Sequence, residues 1–114
     1  MRQTAFELAV DAIGGVLALE ARGAIVAGSH DALVECLDRA VRGGRPVVLD
    51  LTEATAIDAI GVKTLMDGHK QLATRLRIVI ERGGPVHEAL RREGVSHVLA
   101  LHGSRAEALA ASGG

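Results

Sequence analysis

The sequence predicts a single α/β domain: a mixed, largely parallel β-sheet with α-helices packed on it, entered through a β-hairpin and continued in βαβ units. Three observations carry that expectation. An initial stretch alternates apolar and polar residues and turns at Gly14-Gly15. Short apolar runs then alternate with segments of helical periodicity, the pattern of βαβ units. One of those runs, Val47-Val48-Leu49, is too continuously apolar for a strand with a wet face, so it belongs in the middle of a sheet.

Taken in order, Phe6, Leu8 and Val10 alternate with Glu7, Ala9 and Asp11, and Gly14-Gly15 returns the chain into Val16-Leu17-Ala18-Leu19 as a hairpin. After Gly23 comes a short apolar piece, Ala24-Ile25-Val26, and then Gly28-Ser29, where Ser29 is placed to cap a helix. Leu33, Cys36, Leu37, Ala40 and Val41 share one face of that helix, and Gly43-Gly44 ends it. Pro46 opens the central strand. A loop over residues 52–58 leads to a second helix whose inward face is Val62, Leu65, Met66, His69, Leu72 and Ala73. Residues 76–80 are apolar enough for another strand. Gly83-Gly84-Pro85 breaks it and starts a third helix, Pro85 suiting the first turn and Gly94 the C-terminal end. Val98-Leu99-Ala100-Leu101 forms the last strand. Ser104 and Glu107 have the spacing of a capping box, predicting a short final helix with Leu109 inward and a frayed tail over residues 111–114.

Composition narrows the function. The 114 residues suit one domain, 48% of them are hydrophobic, and Phe6 is the single aromatic, so Leu, Val, Ile and Ala must build the core. A formal net charge of -1 and the lack of aromatics argue against nucleic acid as a partner. A lone Cys36 fits a reducing compartment, and no apolar run reaches the roughly 20 residues of a membrane span. With the polar start Met1-Arg2-Gln3-Thr4, these features lead to the expectation of a cytoplasmic protein without membrane insertion. The five histidines lack metal-ligand spacing, and no cofactor is expected. Gly83-Gly84-Pro85 lacks the lysine of a phosphate-binding loop. No nucleophile, base and acid stand in a pattern that supports catalysis, so the chain is expected not to be an enzyme.

Open α/β sheets carry their functional loops at the carboxyl ends of the strands, here beyond Asp50-Leu51. The residues that follow are Thr52-Glu53-Ala54-Thr55-Ala56-Ile57-Asp58-Ala59-Ile60-Gly61-Val62. This segment resembles the signature of STAS domains, the family of anti-sigma-factor antagonists and sulfate-transporter C-terminal domains. The family pattern is a strand ending Asp-Leu-Ser/Thr, a short loop, an apolar residue, then Asp-Ser-Ser/Thr-Gly-Leu at a helix start. Asp50, Leu51, Thr52, Ile57, Asp58 and Gly61 match it in type and spacing. Gly23-Ala24-Ile25 stands where the family has Gly-Glu-Leu, and Val86, Leu90, Gly94 and Val95 resemble its third-helix pattern. The resemblance spans nearly the whole chain and implies a STAS-like fold over residues 1–114.

It also implies a non-enzymatic bacterial regulator that binds an anti-sigma factor of kinase-like ATPase fold, frees a sigma factor and so affects transcription. The implied partner-binding residues are Asp58, Ala59, Ile60, Gly61, Lys63, Thr64 and Asp67. Two departures bear on mechanism. Where switchable antagonists carry the hydroxyl that the partner kinase phosphorylates, this chain has Ala59, and the next position, commonly Ser or Thr, is Ile60. An aspartate often found after the Gly-Glu-Leu element is Val26 here. The usual phospho-switch is thus expected to be missing.

Physical chemistry gives this segment a structural role of its own. Asp58 before a helix can accept a hydrogen bond from the N–H of Ile60 or Gly61, and its charge suits the positive end of the helix dipole. Gly61 leaves room for another backbone to approach the first turn. Ile60 falls off the inward stripe, where an apolar side chain favours lasting association and a phosphate would oppose it. The alternative reading is a constitutive STAS subunit of a larger assembly, a lipid-transport ATPase or a stressosome-like scaffold, using the same surface. A small-ligand module built on the glycine-rich loops is a weaker third. The sequence leaves the oligomeric state open.

Overall fold

The structure, a computed structural model, describes residues 6–26 and 28–113, without the side chains of 112 and 113. The polar start at residues 1–4 and Gly114 lie outside the described residues. The elements run β1 (Glu7–Ile13), β2 (Val16–Ile25), α1 (His30–Gly43), β3 (Val47–Ile57), α2 (Ala59–Leu72), β4 (Leu76–Val79), α3 (Pro85–Arg92), β5 (Leu101–His102) and α4 (Arg105–Gly113). A 3-10 turn over Ala73–Arg75 separates α2 from β4. The five strands lie in sequence order, β1 antiparallel to β2 and the other neighbours parallel. This is the mixed, largely parallel sheet with an entry hairpin that the sequence predicts.

The strand order decides where the helices go. Successive right-handed crossovers that always advance the same way along a sheet deposit their helices on one face. Accordingly α1, α2 and α3 share a core with the sheet, where Leu33, Leu37, Leu65, Leu72 and Leu90 pack on Leu19, Leu49 and Ile78, all essentially buried. The helix after the last strand, α4, lands on the opposite face and covers Val16, Val48 and Val79 with Ala108 and Leu109. Burying an aliphatic side chain of this kind contributes about 1.5–3 kcal/mol, so these two aliphatic layers serve in place of an aromatic core.

Four element boundaries depart from expectation, each for a local reason. β2 is one strand rather than two pieces, because Gly23 adopts a φ of 89° inside it and lets the pairing with β3 shift register without ending the strand. β3 continues through most of the expected 52–58 loop to Ile57. Its positions on the face packed against α1–α3 run 47, 49, 51, then 54 and 57, because the register against β2 shifts twice and each shift adds a residue. The strand expected at Val98 begins only at Leu101: the N–H groups of Val98 and Leu99 both donate to the Val95 carbonyl, so a tight turn delivers Leu99 into the core. Ala73, expected on the inward face of α2, is exposed at its C-terminal cap with a φ of 52°.

Caps follow the sequence more closely. Gly44 closes α1 in the left-handed conformation, Pro85 opens α3, and Gly94 follows α3 with a φ of 74°. Ser104 Oγ accepts from the Glu107 N–H at 3.2 Å, while the Glu107 carboxylate turns to His102. Ser29 occupies the N-cap position of α1, yet its hydroxyl accepts from the Val26 N–H at 2.9 Å and donates back to the Ala24 and Val26 carbonyls. It fastens the turn that precedes the helix. α4 continues to Gly113, into the segment whose composition predicts fraying.

Candidate functional site

The start of α2 is built by the end of β3 and the end of β2 together. Extended backbone at Asp58 (φ −93°, ψ 179°) carries the chain out of the sheet, and the Asp58 N–H donates to the Ile25 carbonyl at 3.1 Å. Asp58 Oδ1 then accepts from the Gly61 N–H at 2.8 Å, and the Asp58 carbonyl accepts from the Val62 N–H at 3.0 Å. One aspartate therefore ties the helix start to both neighbouring strands. It is the cap expected from sequence, with Gly61 as the donor.

Ala59 and Ile60 follow the cap on the outside of the molecule, Ala59 exposed and Ile60 52% exposed. From Ile60 an outer stripe continues at helical spacing through Lys63, Thr64 and Asp67. Thr64 Oγ1 donates to the Ile60 carbonyl at 3.0 Å, and Lys63 Nζ lies 3.2 Å from Asp67 Oδ2. That ion pair is solvent-exposed and contributes little to stability. Thr64 and Asp67 also form one wall of a shallow groove of about 130 Å³, whose other wall is Val34, Asp38 and Val41 of α1.

Gly61 differs from the reading that its missing side chain admits another molecule. It is buried, and a Cβ there would stand 2.6 Å from Ile57 Cγ1 and 3.1 Å from both Ile25 Cγ2 and the Ile25 carbonyl oxygen. The close approach that glycine permits is that of α2 on its own sheet. Asp58, Ala59, Ile60, Lys63, Thr64 and Asp67 thus sit on or at the edge of one outward face, and Gly61 lies behind it.

A feature whose role the sequence did not disclose is Asp50, the one buried charged residue among the described residues at 3% exposure. Its Oδ1 accepts from both the N–H and the hydroxyl of Thr52, at 2.9 and 2.7 Å, and its Oδ2 lies 3.6 Å from Arg105 Nε on α4. Buried carboxylates need such partners. Asp50 couples the central strand to α4 on the face away from Ile60; the sequence signals for it were an acidic residue after an apolar run and its match to the Asp-Leu-Ser/Thr pattern, neither of which points to Arg105.

Elsewhere, no group of three or more metal-ligating side chains comes together among the described residues. Cys36 is half-buried against the α1 side of the core, and burial pushes its thiol up from the ordinary range despite Arg39 nearby, leaving a poor nucleophile. No described helix is long and apolar enough to cross a membrane.

The order of elements, the capped helix start beside the central strand and the hairpin entry coincide with one known family: the STAS domain model matches residues 7–108. The chain belongs to the STAS family. Solved structures agree in fold. An anti-sigma factor antagonist from Mycobacterium paratuberculosis superposes with a TM-score of 0.86 at 19% identity, covering 96% of each chain. The anti-sigma factor antagonist SpoIIAA in its unphosphorylated form gives 0.65 at 14% identity, over 93% of this chain and 94% of that one. A protein from Shewanella loihica with a SpoIIAA-like fold gives 0.62 at 15% identity, over 96% and 97%. No curated protein matches the sequence. At these identities the structural likeness establishes the STAS fold.

The cap makes a separable prediction about this STAS domain. Asp58→Ala is expected to cost about 1 kcal/mol in urea unfolding, and Asp58→Asn, which keeps a capping oxygen, to recover most of it. Equal losses in both variants would mean that the carboxylate's charge, rather than the hydrogen bond to Gly61, holds the helix start.

Proposed function

We propose that this STAS domain is a non-enzymatic, cytoplasmic regulator of the anti-sigma-factor-antagonist type that docks on an anti-sigma factor of kinase-like ATPase fold and frees a sigma factor. The docking surface is the start of α2, Asp58, Ala59 and Ile60, continued by Lys63, Thr64 and Asp67. The observation that carries the reading is the pair Ala59 and Ile60: both side chains are exposed on the first turn of a firmly capped helix. Ala59 stands where the family's switchable members carry the phosphoacceptor, and an alanine has no oxygen to accept phosphate. Beside it Ile60 presents apolar surface where a phosphate would bring nearly two negative charges. A docking surface that cannot be charged at the family's usual acceptor position stays competent to bind.

Incubation with a cognate anti-sigma kinase and ATP tests this. The native chain is expected to bind the kinase and take up no phosphate by mass spectrometry, whereas Ala59→Ser is expected to become phosphorylated and to release its partner. Stoichiometric phosphate on the native chain would overturn the loss of the switch, and absence of binding would overturn the choice of partner. The same exposed face also supports the second reading, a constitutive subunit of a lipid-transport ATPase or a stressosome-like scaffold. Affinity capture from lysate separates the two by whether an anti-sigma factor or a membrane ATPase is retained.

A further inference from the structure

The sheet has two edges, and they differ. β5 is two residues long, and a short edge offers little to pair with. β1 is seven residues long, pairs only with β2 among the described residues, and runs without a register shift from Glu7 opposite Arg22 to Ile13 opposite Val16. It contains no lysine and no proline, two of the devices that keep edges apart. From Ala9 to Ile13 it is exposed throughout, with Val10 55% and Ile13 41% accessible.

The turn that starts the hairpin determines which backbone groups this edge offers. Gly14 and Gly15 have φ values of 55° and 84°, the geometry of a two-residue type I′ turn. Such a turn makes Ile13 and Val16 exchange both hydrogen bonds, so Ile13, Asp11, Ala9 and Glu7 point their polar backbone groups at β2. Leu8, Val10 and Ala12 consequently point theirs outward; the Ala12 N–H donates there to Asp11 Oδ1 at 2.8 Å, an exposed local contact that pairing with a second strand would replace.

We infer that two copies of the chain pair through these outer edges, β1 antiparallel to β1 about a two-fold axis at Val10, joining two sheets into one. The acidic residues select that register. Centred on Val10, Glu7 faces Ile13 of the second copy, Ala9 faces Asp11, Leu8 faces Ala12 and Val10 faces Val10, so no carboxylate opposes another. Centring on Ala9 sets Glu7 against Asp11, and centring on Asp11 sets Asp11 against itself, each placing like charges directly opposite in pairs. Half-residue displacements oppose side chains from different faces of the pleat. Of the registers that pair five or more residues, this is the one that sets no carboxylate directly opposite another; it also pairs all seven residues and brings the most exposed valine onto its own copy. Val10 further borders a groove of about 200 Å³ formed with Leu17, Cys36 and Arg45, against whose rim the second Val10 would pack. The arrangement is self-complementary, as a two-fold interface must be. It leaves the outer face of α2 free for a partner.

Sedimentation equilibrium of the full chain, from low to high micromolar concentration, provides the test. A reversible dimer is expected, and Val10→Lys, which opposes two ammonium groups at the axis, is expected to weaken it at least about tenfold with an unchanged circular dichroism spectrum. In a Cys36→Ser background, Val10→Cys is expected to form a disulfide between copies on mild oxidation, since directly paired, hydrogen-bonded residues lie about 5.5 Å apart at Cα, within disulfide reach. Asp11→Cys, opposite Ala9, is expected not to. A monomer at every concentration overturns the inference, as does a dimer indifferent to Val10→Lys or one cross-linked through Asp11→Cys instead.

Discussion

Gly61→Val is expected to destabilise the domain by about 3 kcal/mol or more, measured as a lowered urea midpoint, and Gly61→Ala by about 1–2 kcal/mol. An added Cβ meets Ile57 Cγ1 at 2.6 Å, a separation that real side chains do not tolerate, and the Ile25 carbonyl oxygen at 3.1 Å. Isoleucine is stiff at χ1, and the carbonyl belongs to the strand and accepts the Asp58 N–H, so neither neighbour can yield cheaply. α2 must therefore lift off the sheet. Alanine's better helix propensity returns up to about 1 kcal/mol, which is why the alanine variant is the milder one. Gly68 is the internal control: a Cβ there meets only the methyl ends of Leu37 and Leu76, at 3.3 Å, and those can rotate away. Gly68→Ala is expected to be near neutral. Equal losses at the two glycines would show that α2 is not seated on Ile25 and Ile57 as described.

The tight seat of Gly61 also shows why parts of this molecule were legible in the sequence and others were not. The hairpin, the α1 stripe, the Asp58 cap and the order of strands and helices were readable, because each is written in a local pattern: a Gly-Gly turn, a 3.6 period, a capping residue. β3 beyond Leu51 was not. Strand prediction rests on a period of two, and the inward residues Leu51, Ala54 and Ile57 are three apart because two register shifts each insert a residue. With Thr52, Thr55 and polar neighbours between them, the stretch has the composition of a loop. The same limit applies to Gly61 and Asp50. A glycine in a helix's first turn is ambiguous until the strand behind it is placed, and an aspartate following an apolar run gains its meaning from Arg105, 55 positions later in the chain on α4. The start of α2 was found at once as a capped helix, whereas which of its residues face outward depended on that packing.

Those outward residues carry the second large effect. Ile60→Asp is expected to weaken binding to an anti-sigma factor at least about 100-fold, equivalent to about 2.7 kcal/mol, in titration calorimetry. The change removes apolar contact and adds a negative charge next to the position where phosphorylated relatives carry theirs, so desolvation and repulsion act in the same direction. Stability moves the other way or not at all. Ile60 is 52% exposed, so little burial is lost, and a carboxylate in the first turn of α2 interacts favourably with the helix dipole. That opposition is what makes the variant informative: a misfolded or loosened domain would lose binding and stability together, whereas a docking residue loses binding alone. Ile60→Ala, which removes apolar area without adding charge, is expected to fall between the native chain and Ile60→Asp. Ile60→Asp with native affinity and an intact fold would remove this face of α2 from the docking surface, while a loss equal to that of Ile60→Ala would assign the contact to apolar burial rather than to charge.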